Sequence, residues 1–211
     1  MTTPRRALIV VDVQQEYFDG PLEIQYPPRA ESLANIVGAV DTAAAHDVPV
    51  VVVQHRLPEG APIFADGSPG WSLHPALAER VDPTWKQVQK QYASVFAGTD
   101  VAEWLRAHDV DTVTVVGHMI NNCDLGTAVE AEALGFAVEV LSDATGAIHL
   151  ANDAGRVSAE SLHTTLMVLL QSNFAAVATT QRWIEAVRSG AALPKGNLIE
   201  SAVDGRSALS I

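Results

Sequence analysis

The chain has 211 residues, 48% of them hydrophobic and 18% charged, with a formal net charge of −12 and one cysteine. That length and composition suit a single globular domain with a substantial core, expected over residues 1–193, and a tail over 194–211 that is either an arm or disordered. The negative charge argues against nonspecific binding to nucleic acid or anionic membranes, and a lone cysteine makes no internal disulfide, so a reducing cytoplasm is expected.

In chain order, the first signal is the apolar run at residues 7–11, rich in β-branched residues, which predicts a strand buried on both faces of a parallel sheet. The basic residues before it and its short length do not make a signal peptide, and no run reaches the length of a membrane span. Asp12 stands at the strand's C-terminal end, where open α/β sheets place ligands, though a turn-capping role is open to it as well. Residues 14–28, with Pro21, Pro27 and Pro28, read as a loop. Leu33, Ile36, Val37, Val40 and Ala44 then recur at helical spacing, and residues 48–54 predict a second buried strand. The stretch 55–71 is a long irregular connection whose Ile63, Phe64 and Trp71 need something to pack against. Lys86 and Lys90 follow, and Thr99 is the expected N-cap of a helix over 100–108.

Residues 112–116 predict a third strand, after which the chain breaks at Gly117 and reaches Cys123 as a helix begins. A thiol there lies near the positive end of the helix dipole, which favours the thiolate; the competing assignment is an inert buried cysteine. Leu125, Ala128, Val129 and Ala133 continue the helix, with Gly135 to end it. A fourth strand is expected over 136–141 and runs into Ser142 and Asp143. Leu162, Thr165, Leu166, Leu169 and Leu170 predict the buried stripe of the next helix. A short strand at 175–178, a final helix over 180–187 and an aperiodic tail complete the chain. There is no internal repeat. The alternation of strands and helices predicts a parallel sheet.

Asp12, Lys90 and Cys123 form a coherent chemical set. A carboxylate can take the thiol proton, and an ammonium can hold the carboxylate and stabilise developing negative charge. On composition alone Lys86 rivals Lys90.

The chain resembles the isochorismatase-like cysteine hydrolases, which include nicotinamidases and N-carbamoylsarcosine amidases. The resemblance rests on residues 8–14 with Tyr17, on residues 90–96 with Gly98, Thr99 and Asp100, and on residues 117–123 with Thr127 and Ala128. It spans about residues 7–180, with weaker support at His74-Pro75 and at residues 142–145. It implies a three-layer Rossmann-like α/β fold with a mostly parallel central sheet of five or six strands flanked by helices. It also implies Asp12 as general base and acid, Lys90 (chosen over Lys86 by its spacing to Phe96) as electrostatic partner and Cys123 as nucleophile. A cis peptide at His118-Met119 is implied as well, with the N–H groups of Met119 and Cys123 forming an oxyanion hole. Pocket candidates are Gln14, Tyr17, Phe18, Trp71, His118 and Asn122, with structural roles also open to Trp71 and His118. His149 and His163 are expected to pack.

The chain departs from the family pattern at Asp124, where the family often has valine; on a helix this side chain is expected to point away from the site. His55 stands alone in sequence, without the paired histidines of metal-binding nicotinamidases, so neither a metal nor another cofactor is expected. The implied activity is cofactor-independent cleavage of a small amide, imide or carbamoyl C–N bond through a thioester. The alternatives are vinyl ether hydrolysis of the isochorismatase type, against which Cys123 argues, and a non-catalytic binding protein. The expected partners are a small-molecule substrate and further copies of the chain, as a dimer or tetramer.

Overall fold

The computed structural model describes residues 3–209; the outermost parts of the expected domain and tail, residues 1–2 and 210–211, lie outside the described residues. The first apolar run forms β1 (Arg6–Val11), buried along its whole length. Helices α1 (Glu16–Asp19) and α2 (Arg29–Ala45) lead to β2 (Val50–His55). The long connection then gives way to α3 (Pro75–Ala78), β3 (Lys86–Lys90), α4 (Val101–Ala107) and β4 (Thr112–His118). A wide turn, Ile120–Asp124, opens α5 (Leu125–Ala133), and β5 (Ala137–Gly146) follows. A hairpin of β6 (Leu150–Asn152) and β7 (Gly155–Val157) precedes α6 (Ala159–Leu169), β8 (Ala176–Ala178), α7 (Thr180–Ser189) and α8 (Leu198–Ala208).

Six strands form one sheet in the order β3-β2-β1-β4-β5-β8, with every pairing parallel. Successive side chains of a strand face opposite sides, so the apolar runs feed two cores at once. Ala7, Ile9 and Val11 of β1 pack with Leu105 of α4, Ala128 and Ala131 of α5 and Leu166 of α6. Leu8 and Val10 pack on the other face with Ile36, Ala39 and Val40 of α2 and Trp183 of α7. Helices on both faces make the three-layer α/β fold.

Five local expectations change. β3 carries the sequence Lys-Gln-Val-Gln-Lys and is an edge strand, exposed at alternate positions, so it presents no apolar run to recognise. Residues 16–19 form a short helix inside the expected loop. Helix α4 starts one residue late, with Asp100 as its cap, while Thr99 Oγ1 accepts a hydrogen bond from Val101 N at 3.3 Å. In α6 the buried residues are Ala159, His163, Leu166 and Met167, and Thr165 and Leu169 are exposed, because the sheet lies under a face rotated from the leucine stripe. The tail is helical over α8, with Asn197 Oδ1 accepting from Glu200 N at 2.8 Å, yet none of the residues in α8 is buried.

Candidate active site

The strand order runs outward from β1 in one direction and from β4 in the other, so β1 and β4 flank the point where a parallel sheet opens a crevice at its C-terminal edge. Register determines what arrives there. His55 of β2 pairs with Lys90 of β3, and Val11 of β1 pairs with Gly117 of β4. Asp12 comes just past Val11, with φ of +48°, a conformation seldom taken by a residue with a side chain. Gly117 has φ of +120°, and a Cβ there would stand 2.0 Å from the Val11 carbonyl oxygen, so only glycine lets β4 pass this close to β1.

Asp12, Lys90 and Cys123 meet at this edge, each almost fully buried. Lys90 Nζ pairs with Asp12 Oδ2 at 2.6 Å and donates to Cys123 Sγ at 3.2 Å and His55 Nδ1 at 3.0 Å. The ammonium thus sits among a carboxylate, a thiol and an imidazole. Burial works against the Lys90 charge, but Asp12 and Cys123 outweigh it and raise its pKa, so the ammonium persists. Burial raises the Asp12 carboxyl, and Lys90 opposes that shift. The result is a more basic carboxylate than one in water, as a proton acceptor requires. Burial also raises the Cys123 thiol, helped by the Asp12 charge and opposed by Lys90. This corrects the expectation of a thiolate stabilised at a helix start, because desolvation and a neighbouring carboxylate outweigh the dipole.

The other sequence candidates divide. Tyr17 is 1% exposed, and its phenol is pushed well up by burial and by the Asp12 carboxylate nearby, which keeps its proton in place. Its ring lies 5.3 Å from both Phe64 and His118, and Phe64 in turn lies 5.1 Å from His55. The connection after β2 therefore packs as expected, through Phe64. Tyr17, Phe64 and Met119 form an apolar cluster with Ile24. Phe18 lies between His74, at 4.3 Å, and His118, at 5.5 Å. His118 is fully buried; its Nε2 lies 3.4 Å from Ser32 Oγ, and burial lowers its pKa to about 3. The His118–Met119 peptide bond is cis.

Gln14 has a different place from that of a pocket side chain. Its amide donates to the carbonyls of His55 (3.0 Å) and Trp71 (2.7 Å) and accepts from His55 N (2.8 Å), tying the loop to β2. Trp71 Nε1 is buried without a hydrogen-bond partner among the described residues. Asn122 is exposed and apart from the buried cluster, whereas neighbouring Asn121 accepts from Ile148 N at 3.3 Å.

Two residues stand differently from expectation. Asp124 turns inward: it is fully buried, neither carboxyl oxygen has a hydrogen-bond partner among the described residues, and burial and Asp12 raise its pKa well above the ordinary range. The wide turn through Cys123, in which Asp124 N bonds to Met119 O at 3.2 Å, displaces it from the outward position of a regular helix. His55, alone in sequence, joins the cluster. Burial and Lys90 lower its pKa to about 4, leaving a neutral imidazole. The signal that could have found it is its place at a strand's C-terminal end. Donor atoms of Asp12, His55 and Cys123 lie within 4.8 Å of one another, a set whose chemistry suits a borderline-soft divalent ion. The Lys90 ammonium contacts all three, so its charge already serves these donors.

A parallel sheet with a buried thiol, carboxylate and ammonium at its switch point places the chain among three-layer α/β proteins with a polar site at the C-terminal edge. Residues 6–182 match the model of the isochorismatase domain, and the chain belongs to that family. It is similar over its full length to a candidate isochorismatase from Burkholderia xenovorans LB400, with 50% identity, all of both chains covered and a TM-score of 0.96. A secreted isochorismatase effector of Verticillium dahliae is 32% identical over 69% of this chain and 74% of its own. Maleamate amidohydrolase of Pseudomonas putida is 31% identical over 68% of this chain and 73% of its own. No described helix is long and apolar enough to cross a membrane.

Proposed function

We propose that the protein is a cofactor-independent cysteine hydrolase that cleaves a small amide, imide or carbamoyl C–N bond. The observation that carries this reading is the Lys90 ammonium joined to Asp12 at 2.6 Å and Cys123 at 3.2 Å in a buried site. The amidohydrolase relative supports the bond type. Asp12 takes the thiol proton as Cys123 Sγ attacks the carbonyl carbon, so no free thiolate is needed beforehand. The N–H groups of Met119 and Cys123 receive the oxyanion. Collapse of the tetrahedral intermediate breaks the C–N bond as Asp12 returns the proton to the leaving nitrogen, leaving a thioester. Asp12, again a carboxylate, takes a proton from water; the resulting attack releases the acid, and the proton returns to sulfur. Lys90 holds Asp12 in place and balances the negative charge throughout.

The test is ammonia or amine release from a panel of small amides, imides and carbamoyl compounds, with acid-quenched mass measurement of the protein. Wild type should turn over at least one and carry an acyl adduct on Cys123, while Cys123→Ala and Asp12→Asn should not. Undiminished turnover by Cys123→Ala would overturn the mechanism. A second reading, hydrolysis of a vinyl ether, is favoured by Asp124, a fully buried carboxyl whose proton affinity burial raises, as a general acid requires. On that reading Cys123→Ala retains activity toward a vinyl ether and Asp124→Asn loses it.

A further inference from the structure

A cavity formed by the loops before and after α1 and before α3 is walled by acceptors. Gln15 N donates to Ser72 O at 2.9 Å and Glu16 N to Gly70 O at 3.0 Å, and the cavity these segments line has a volume of about 450 Å³. Gln15, Glu16, Asp19 and Ser72 make its polar wall and Leu73 and Pro75 an apolar one; none of the described residues lining it is basic. Glu16 is only 4% exposed, and its Oε1 is buried without a hydrogen-bond partner among the described residues, as is Gln15 Oε1. Two glycines make room for this carboxylate. A Cβ on Gly20 would stand 2.5 Å from Glu16 Oε1, and one on Gly70 would stand 2.7 Å from Oε2. His74, which feels the charge of Asp19, is not a counter-ion: its Nδ1 accepts from Ala76 N at 3.2 Å, and burial lowers its pKa.

A buried carboxylate without a donor is unfavourable, and a ligand that brings positive charge together with N–H donors relieves both deficits. A bare divalent ion seeks six or more oxygens in a tight shell, which a partly apolar cavity of this size does not offer. We propose that the cavity binds a small organic ammonium ion, with its N–H donors on Glu16 and Gln15, its charge also facing Asp19, and its hydrocarbon part on Leu73 and Pro75. This inference is independent of the reaction assigned to Cys123.

Calorimetry and thermal melting with n-butylammonium chloride test it, against sodium chloride at equal ionic strength, n-butanol and calcium chloride. Wild type and Cys123→Ala should bind butylammonium and melt higher in its presence, and n-butanol should do neither. Glu16→Gln, which keeps the side-chain shape, should bind about tenfold more weakly or worse, the loss expected for one charge-assisted hydrogen bond. The exposed Asp19→Asn change, which leaves the buried wall intact, should also weaken binding. Absence of binding by wild type, equal binding by Glu16→Gln, loss of binding in Cys123→Ala, or preference for calcium would each overturn the assignment.

Discussion

Strand β1 carries a buried charge at its start and another just past its end, and the protein treats the two differently. At the start, Arg6 Nε donates to both Glu139 carboxylate oxygens (3.2 and 3.0 Å), and Nη2 donates to Glu139 Oε1 (2.8 Å) and the Ala191 carbonyl (2.6 Å). Thr114 Oγ1 (2.8 Å) and Trp183 Nε1 (3.1 Å) also donate to Glu139, closing a network across β1, β4, β5 and α7. At the other end, Lys90 serves Asp12, Cys123 and His55 together, while the Asp124 oxygens and His118 Nδ1 lack hydrogen-bond partners among the described residues. The difference separates two uses of buried charge. A satisfied pair ties elements together; a crowded, under-satisfied group of shifted proton affinities is poised to exchange protons.

The sharpest way to break this comparison is to remove the cation at each end. On the proposed mechanism, in which Asp12, Lys90 and Cys123 act as a unit, Lys90→Met should reduce turnover by about a thousandfold or more. It should also destabilise the protein more at pH 8 than at pH 5, because the unpaired Asp12 can escape its burial penalty by taking a proton. Kinetics and denaturant melts at the two pH values check both outcomes. Arg6→Met should cost about 3–5 kcal/mol of stability by stranding Glu139, with the turnover of folded protein unchanged. Adding Glu139→Leu should recover much of that loss, and recovery of activity rather than stability would contradict the division.

Smaller effects sharpen it. Asp124 has a raised pKa when folded, so the folded state binds its proton more tightly than the unfolded chain does. Its contribution is favourable below pH 3.8 and is lost as pH rises towards the folded-state value. Asp124→Asn should therefore stabilise the protein by about 1–2 kcal/mol at pH 8 and by little at pH 4, as measured by chemical denaturation. The smallest effect concerns Cys123. Asp12 helps raise its pKa, so Asp12→Asn should move the pH midpoint of iodoacetamide alkylation downward by about one unit, a sizeable neighbouring-charge effect. An unchanged midpoint would detach the thiol from Asp12.

Much of the architecture was legible in the sequence because it rests on continuous apolar runs. Residues 7–11, 50–53 and 112–116 announce strands buried on both faces, and a parallel sheet brings their C-terminal ends to one edge whatever the loops do. Asp12 and Cys123 could be singled out on those grounds, and the resemblance selected Lys90. Strand β3 was hidden because an edge strand needs no apolar run. His55 has no histidine near it in sequence, yet it meets Lys90 across the sheet, because sequence adjacency is a poor guide to which side chains meet. Helix α8 had a legible start in Asn197 and Glu200, but its exposed residues follow no burial pattern that would reveal the rest.

By itself, then, the sequence determined the layers of this isochorismatase-family protein, the order of its apolar strands and the main helices between them, and the edge at which polar residues collect. These follow from hydrophobic periodicity and the geometry of parallel strands. The tertiary structure alone decided which of those residues touch and which hold their protons. Pairing register sets His55 beside Lys90, and the absence of a Cβ at Gly117 lets β4 approach β1. The wide turn that carries Cys123 also swings Asp124 inward. Proton affinity depends on burial and on charges a few ångströms away, so the thiol expected to be lowered at a helix start is instead raised in a dry site beside Asp12.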